Sequence, residues 1–173
     1  MTTLDVGCGG SNGFIHHQFI EPTVRCDIRK PYLKMANFVQ CDAHHLPFKN
    51  QAFRLVTCTD VIEHVASPLG LLQEIKRVAK QLLLVTPNGL ILTRSLMSAL
   101  RSDQKCEPFF DHIQVWTKAE LENLFARVGF KRWKVWFDTV SPRKGTWLGD
   151  LVLCVCPFPA LKYRQLIALV DLQ

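Results

Sequence analysis

Apolar and polar positions along this chain switch between two periods, and the switches divide it into short strands and amphipathic helices. Four short apolar runs, each bounded by glycine, proline or polar residues, predict strands from Thr2 to Val6, Thr23 to Asp27, Asn37 to Cys41 and Phe53 to Thr59. From Ser67 the period lengthens. Ser67 predicts an N-cap and Pro68 the first helical position, while Leu71, Leu72, Ile75, Val78 and Ala79 recur on one helical face. Gln81 to Thr86 is a continuous apolar run, which predicts a strand buried on both faces, and Pro87-Asn88-Gly89 ends it. Thr117-Lys118-Ala119-Glu120 predicts a capping box, with Trp116 and Leu121 as the hydrophobic staple beside it. Leu121, Leu124, Phe125 and Val128 give that helix a buried face, and Gly129 is its C′ stop.

The remaining segments carry weaker patterns. Phe14 to Ile20 predicts a short, distorted helix, and Leu90 to Leu100 a further helical segment. Arg101 to His112, polar and proline-containing, predicts a loop near the site. Lys131 to Asp138 and Leu151 to Cys156 predict the last two strands. The tail from Pro157 to Gln173 predicts a short terminal amphipathic helix, with Leu161, Leu166, Ile167, Leu169 and Val170 docking on the sheet as the default, or forming a dimer or partner contact or touching a membrane surface.

Strands alternating with helices predict an α/β fold with a mainly parallel, doubly wound sheet. The 173 residues, without internal repeat or linker, are expected to form one domain, 1–173. No apolar run reaches the length of a membrane span, and the chain enters its first strand at once, which gives the expectation of a cytoplasmic protein without a signal peptide. The net charge of +6 favours anionic partners weakly. The seven cysteines form no CxxC pair, so they read as reduced, mostly buried apolar residues. No metal site is expected: His16-His17 and His44-His45 have no third ligand at metal spacing.

Chemistry gathers at the strand ends. Thr3-Leu4-Asp5-Val6-Gly7-Cys8-Gly9-Gly10 runs from an apolar strand into a glycine-rich turn, where a bare backbone can approach a nucleotide-like ligand. Asp5, two residues before the first glycine, would repel phosphate and suits a cationic ligand. Asp27, eighteen residues after Gly9, stands where a carboxylate receives ribose hydroxyls. Asp42 can accept from an exocyclic amine, the Ala43 amide can donate to a ring nitrogen, and Asp5 can hold an ammonium directly or through water. Together these describe a nucleoside carrying a positively charged amino-acid tail. A nicotinamide site is disfavoured, because Asn12 stands where its third glycine would fall.

With these residues the chain resembles the class I S-adenosylmethionine-dependent methyltransferases. It is most similar to the small-molecule group that carries Glu-His-Val after strand four. The motifs are Leu4-Asp5-Val6-Gly7-Cys8-Gly9, Cys26-Asp27, Cys41-Asp42-Ala43-His44-His45-Leu46-Pro47-Phe48, Phe53-Arg54-Leu55-Val56 and Asp60-Val61-Ile62-Glu63-His64-Val65, then His112, Thr117, Glu120-Leu121 and Gly129-Phe130. The resemblance implies a Rossmann-like seven-stranded sheet of order 3-2-1-4-5-7-6 with strand 7 antiparallel. It implies S-adenosyl-L-methionine as cofactor, S-adenosyl-L-homocysteine as product, and Asp5, Gly7, Cys8, Gly9, Asp27, Ile28, Asp42, Ala43 and Thr59 as the cofactor-binding set. It implies methyl transfer by in-line displacement to an acceptor, a small molecule being the first expectation. Three departures stand out: Ser11 replaces the family's third glycine, Phe53-Arg54 replaces Phe-Asp, and the usual N-terminal cap helix is expected to be absent.

His64 and His112 are the candidate general bases, with loop-holding hydrogen bonds as the competing role. Lys131, Arg132, Lys134, Arg143 and Lys144 near Trp133, Trp136 and Trp147 offer a nucleic-acid surface, but Trp133, Val135 and Phe137 share one strand face and read more simply as core. The alternatives to a small-molecule enzyme are a non-catalytic module acting through a protein partner and an RNA or protein methyltransferase.

Overall fold

A computed structural model describes residues 2–9, 22–31, 34–90, 112–138 and 165–173. Seven strands form one sheet: β1 (Thr3–Val6), β2 (Val24–Asp27), β3 (Phe38–Gln40), β4 (Phe53–Thr59), β5 (Ala79–Pro87), β6 (Arg132–Phe137) and β7 (Gln165–Asp171). Two helices lie among the described residues, α1 (Pro68–Val78) and α2 (Lys118–Val128). The sheet order is β3-β2-β1-β4-β5-β7-β6. Strands β1 to β5 pair in parallel, and β7 runs antiparallel to both neighbours, β5 and β6. This is the topology that the resemblance implied.

Burial follows from that order. β1 lies mid-sheet and all four of its residues are buried. Leu4 and Val6 pack with Val56, Cys58, Leu82 and Leu84 into a core that the apolar face of α1 closes through Leu71, Leu72, Ile75 and Val78. The Ser67 hydroxyl accepts from the Gly70 amide, and Pro68 opens the helix without an orphan N–H. α1 passes straight into β5, so Ala79 belongs to the strand rather than to the helical face. In α2 both halves of the capping box are made, and Gly129 ends it in the left-handed conformation at φ 77°.

Two expectations need correction. Asn37 does not extend the third strand; its φ of 52° makes it a turn residue, and its side-chain amide donates to the Thr23 carbonyl. More consequentially, the expected terminal helix is a strand. Leu166, Ala168, Val170 and Leu172 are buried in strict alternation, and β7 pairs along its whole length with β5, Leu82 facing Val170 and Leu84 facing Ala168. Leu166, Ile167, Leu169 and Val170 satisfy the helical period as well as the strand period, so pattern alone does not separate the two. The unpaired flank of β5 decides it. The segments read from Phe14 to Ile20, Ile91 to Leu100, Arg101 to Asp111 and Leu151 to Cys156 lie outside the described residues, as do Arg143, Lys144 and Trp147.

Candidate active site

The strand order reverses between β1 and β4, and a parallel sheet opens a crevice beyond its carboxyl ends at such a point. The glycine turn lies there. Gly7 and Gly9 have φ of 75° and 68°, values that side chains with a Cβ rarely adopt. The amides of Gly7 and Cys8 both donate to the Cys26 carbonyl, at 2.8 and 3.1 Å, which ties the turn to the end of β2. A Cβ at Gly7 would lie 2.2 Å from Cγ2 of Val61, so this glycine is required by packing. At Gly9 a Cβ would meet none of the described atoms within 4 Å.

The three strand-end acids differ in their surroundings. Asp5 is buried, and its Oδ1 accepts the Thr57 hydroxyl of β4 at 2.8 Å. Asp27 accepts from the Gly9 amide through Oδ2 at 2.9 Å and from the Arg29 amide through Oδ1 at 2.8 Å. A carboxylate has about four acceptor positions, so Asp27 shapes the turn and still offers lone pairs to a ligand. Asp42 is exposed, with Oδ1 accepting from the backbone amide of His44 at 2.9 Å and lying 2.8 Å from its Nδ1. Those two bonds hold its carboxyl below the ordinary value. His44 Nε2 stands 3.1 Å from the Ser67 carbonyl, which anchors the Asp42–Ala43 turn to the start of α1. Ile28, next to Asp27, is 65 % exposed, an apolar surface beside the crevice.

The four described thiols, Cys8, Cys26, Cys41 and Cys58, are chemically quiet. Burial, then Asp5 and Asp27, push Cys8 up to about 12, so it stays protonated at neutral pH. Burial also raises Cys26, Cys41 and Cys58. This fits the reading of these cysteines as apolar filler.

Beyond β4 the chain turns sharply. Asp60 has a φ of 52°, and its amide donates to the Val85 carbonyl at 3.0 Å. Glu63 follows, 1 % exposed. Its carbonyl accepts from the amides of Ile113 and Gln114 at 3.0 and 3.2 Å, and this bond pair carries His112 to His64. The two imidazoles, far apart in sequence, meet with ring centroids 4.5 Å apart at 82°. Glu63 Oε2 accepts the Thr86 hydroxyl at 3.0 Å. Burial pushes the Glu63 carboxyl up to about 7, with nearby Asp60 adding to the shift. Sequence reasoning gave Glu63 no role. Its only signal was adjacency to His64, and nothing local told of its burial or of the segment that closes over it.

Two clefts among the described residues bear on the site's position. The larger, about 470 Å³, is walled by Thr2, Phe53, Arg54, Lys80, Gln81 and Asp171. It lies at the amino ends of β4 and β5, opposite the glycine turn, so its size does not make it the site. The smaller, about 310 Å³, lies at the carboxyl end of the sheet between Asn88, Leu90, Thr117, Lys118 and Phe137.

Comparison with known proteins agrees with this geometry. A methyltransferase-domain family matches residues 4–83, the stretch that holds Asp5, the glycine turn, Asp27, Asp42 and the Glu63-His64 turn. Over that stretch the chain is similar to this methyltransferase-domain family. Several solved methyltransferases share its fold. A SAM-dependent methyltransferase of Thermotoga maritima superposes with a TM-score of 0.68 at 16 % identity, over 99 % of this chain and 82 % of its own. One from Archaeoglobus fulgidus gives 0.66 at 14 % identity, over 98 % and 85 %. The plantazolicin methyltransferase BpumL, in complex with a triazolic desmethylPZN analog and SAH, gives 0.62 at 17 % identity, over 98 % and 76 %. No curated protein sequence matches the chain. The crevice fits the cofactor of such methyltransferases on its own geometry: no described atom lies within 4 Å of a Cβ at Gly9, Asp27 retains acceptor capacity, and Ile28 is uncovered.

Proposed function

We propose that this protein transfers the methyl group of S-adenosylmethionine to a small-molecule acceptor by in-line displacement. The observation that carries the reading is the convergence of the Gly7–Gly9 turn with Asp27 and Asp42 at the carboxyl ends of adjacent strands. The cofactor supplies a methyl group already activated on a sulfonium.

The protein's residues bind, align and exclude water. Asp27 receives the ribose hydroxyls while holding the Gly9 amide. Ile28 covers one face of the base, and Asp42 with the Ala43 amide reads its edge. Asp5, Cys8 and Thr59 line the methionine end, where a buried carboxylate favours an ammonium. Positioning of this kind supplies up to ~7–11 kcal/mol of barrier reduction in favourable cases. His64 and His112 stand past the end of β4, on the acceptor side.

Calorimetry with S-adenosylhomocysteine tests the reading. Asp27→Ala should weaken binding roughly 100-fold, since it removes charged-group hydrogen bonds of about 1.5–3 kcal/mol. Wild-type affinity in that variant would overturn the assignment. Mass spectrometry of small molecules retained by the purified protein would then identify the acceptor class.

A further inference from the structure

We propose that Glu63, His64 and His112 form a binding site for a divalent transition-metal ion of the zinc class. Three observations carry it. Each residue offers one donor atom, and these atoms all lie within 4.8 Å of one another. The Glu63 side chain is buried, and its Oε1 has no hydrogen-bond partner although Oε2 is satisfied by Thr86. A buried carboxylate oxygen left unmatched is costly, and a cation removes that cost. Finally, the backbone prearranges the group: the Glu63 carbonyl holds the Ile113 and Gln114 amides, which fixes His112 against the Glu63-His64 turn.

The donor set determines the ion class. Two imidazoles and one carboxylate suit zinc and its first-row neighbours, whereas magnesium and calcium prefer oxygen donors throughout. Bonds of ~2.0–2.2 Å place tetrahedral ligand atoms about 3.4 Å apart, so the rings need rotate by only about an ångström to close on an ion. Three protein ligands leave at least one position open, the arrangement of a catalytic rather than a structural site. The opening lies at the carboxyl ends of β4 and β5, on the side assigned above to the acceptor. An ion there would take acceptors through an oxygen donor, and a hydroxyl bound to it would release its proton to solvent near neutral pH, as zinc-bound water does at about 7. Whether the ion binds does not depend on the methyltransferase reading; only its use for a hydroxyl-bearing acceptor rests on it.

Zinc ion alone is the probe, titrated into metal-stripped protein by calorimetry, with metal content measured on protein as purified. One equivalent of zinc is expected. Glu63→Gln, which keeps the shape of the buried side chain, and His112→Ala should each weaken binding about 100-fold or more, since even outer partners of metal ligands are worth 10–100-fold. His45→Ala, whose imidazole is 86 % exposed and lies away from the cluster, should leave zinc affinity unchanged. Absence of zinc binding by the folded wild type, or binding that survives both Glu63→Gln and His112→Ala, overturns the inference. S-adenosylhomocysteine titrated into the same samples reads the methyltransferase assignment separately: a wild type that binds it but does not bind zinc overturns the metal site alone.

Discussion

Two glycines in one turn carry different burdens. Both Gly7 and Gly9 are at positive φ, so alanine at either strains the backbone by about 1–2 kcal/mol. At Gly7 the new methyl also collides with Val61, which adds about 1–3 kcal/mol of overpacking. Gly7→Ala should therefore destabilise by roughly 3 kcal/mol, and Val61→Ala in the same chain should return the steric part but not the backbone part. Chemical denaturation of the four proteins in that cycle measures both. Gly9→Ala meets no such neighbour among the described residues and should cost only the backbone term, yet it alters the turn assigned above to the cofactor. Its affinity for S-adenosylhomocysteine should fall at least about tenfold, the equivalent of about 1.4 kcal/mol. At this scale the sequence is informative where chemistry is local: Asp5, Asp27 and Asp42 announce themselves by strand-end position. Glu63 does not, because its burial is created by Thr86 and by the segment at Ile113, both distant in the chain.

Between elements, one ion pair fastens the loop that follows the Asp42 turn. Arg77, in the last turn of α1, binds Glu74 through two nitrogens at 2.8 Å each and also donates to the carbonyls of Phe48 and Leu46 at 2.7 and 2.8 Å. Glu74 in turn accepts the Leu46 amide at 3.0 Å. Lysine keeps the charge but not the fork, so Arg77→Lys should lose roughly 2 kcal/mol by thermal or urea unfolding. The pair also sets a pH dependence. Arg77 is the chief cause that holds the folded Glu74 carboxyl below its ordinary 4.5. The stabilisation is therefore complete above about 4.5 and is lost as the pH falls through the lower folded value. Glu74→Gln should be less stable than wild type at neutral pH, and the gap should narrow as urea melts are repeated below about pH 4.5. A gap that stays constant down to about pH 2 would sink this assignment. α1 and α2 are legible in the sequence because Ser67-Pro68, the capping box and Gly129 are local signals read by local hydrogen bonds. β7 carries no such signal: its apolar residues satisfy two periods, and only the flank of β5 chooses between them.

The whole molecule depends on that choice. The parallel part of the sheet and its site are built from the first half of the chain, but β7 joins β5 to β6, so the carboxyl-terminal residues close a core begun at Leu4. No pattern within the chain dictates that β7 precedes β6 in the sheet; that order came from the resemblance, because it is a property of long-range pairing. It has a direct mechanical consequence. Ala168 is fully buried and faces Leu84 on one side and Val135 on the other, with hydrogen-bonded strands on both. Proline at 168 would remove a ladder donor and force its ring between two paired strands, a placement tolerated only at sheet edges. Ala168→Pro should therefore abolish cooperative folding, whereas Leu169→Lys, on a side chain 45 % exposed, should leave the melting temperature nearly unchanged. Circular dichroism melts of the two variants decide the matter. A cooperative transition in Ala168→Pro near the wild-type midpoint would mean that the carboxyl-terminal segment is an ornament on a core complete without it, and the helix read from the pattern would again be the better description.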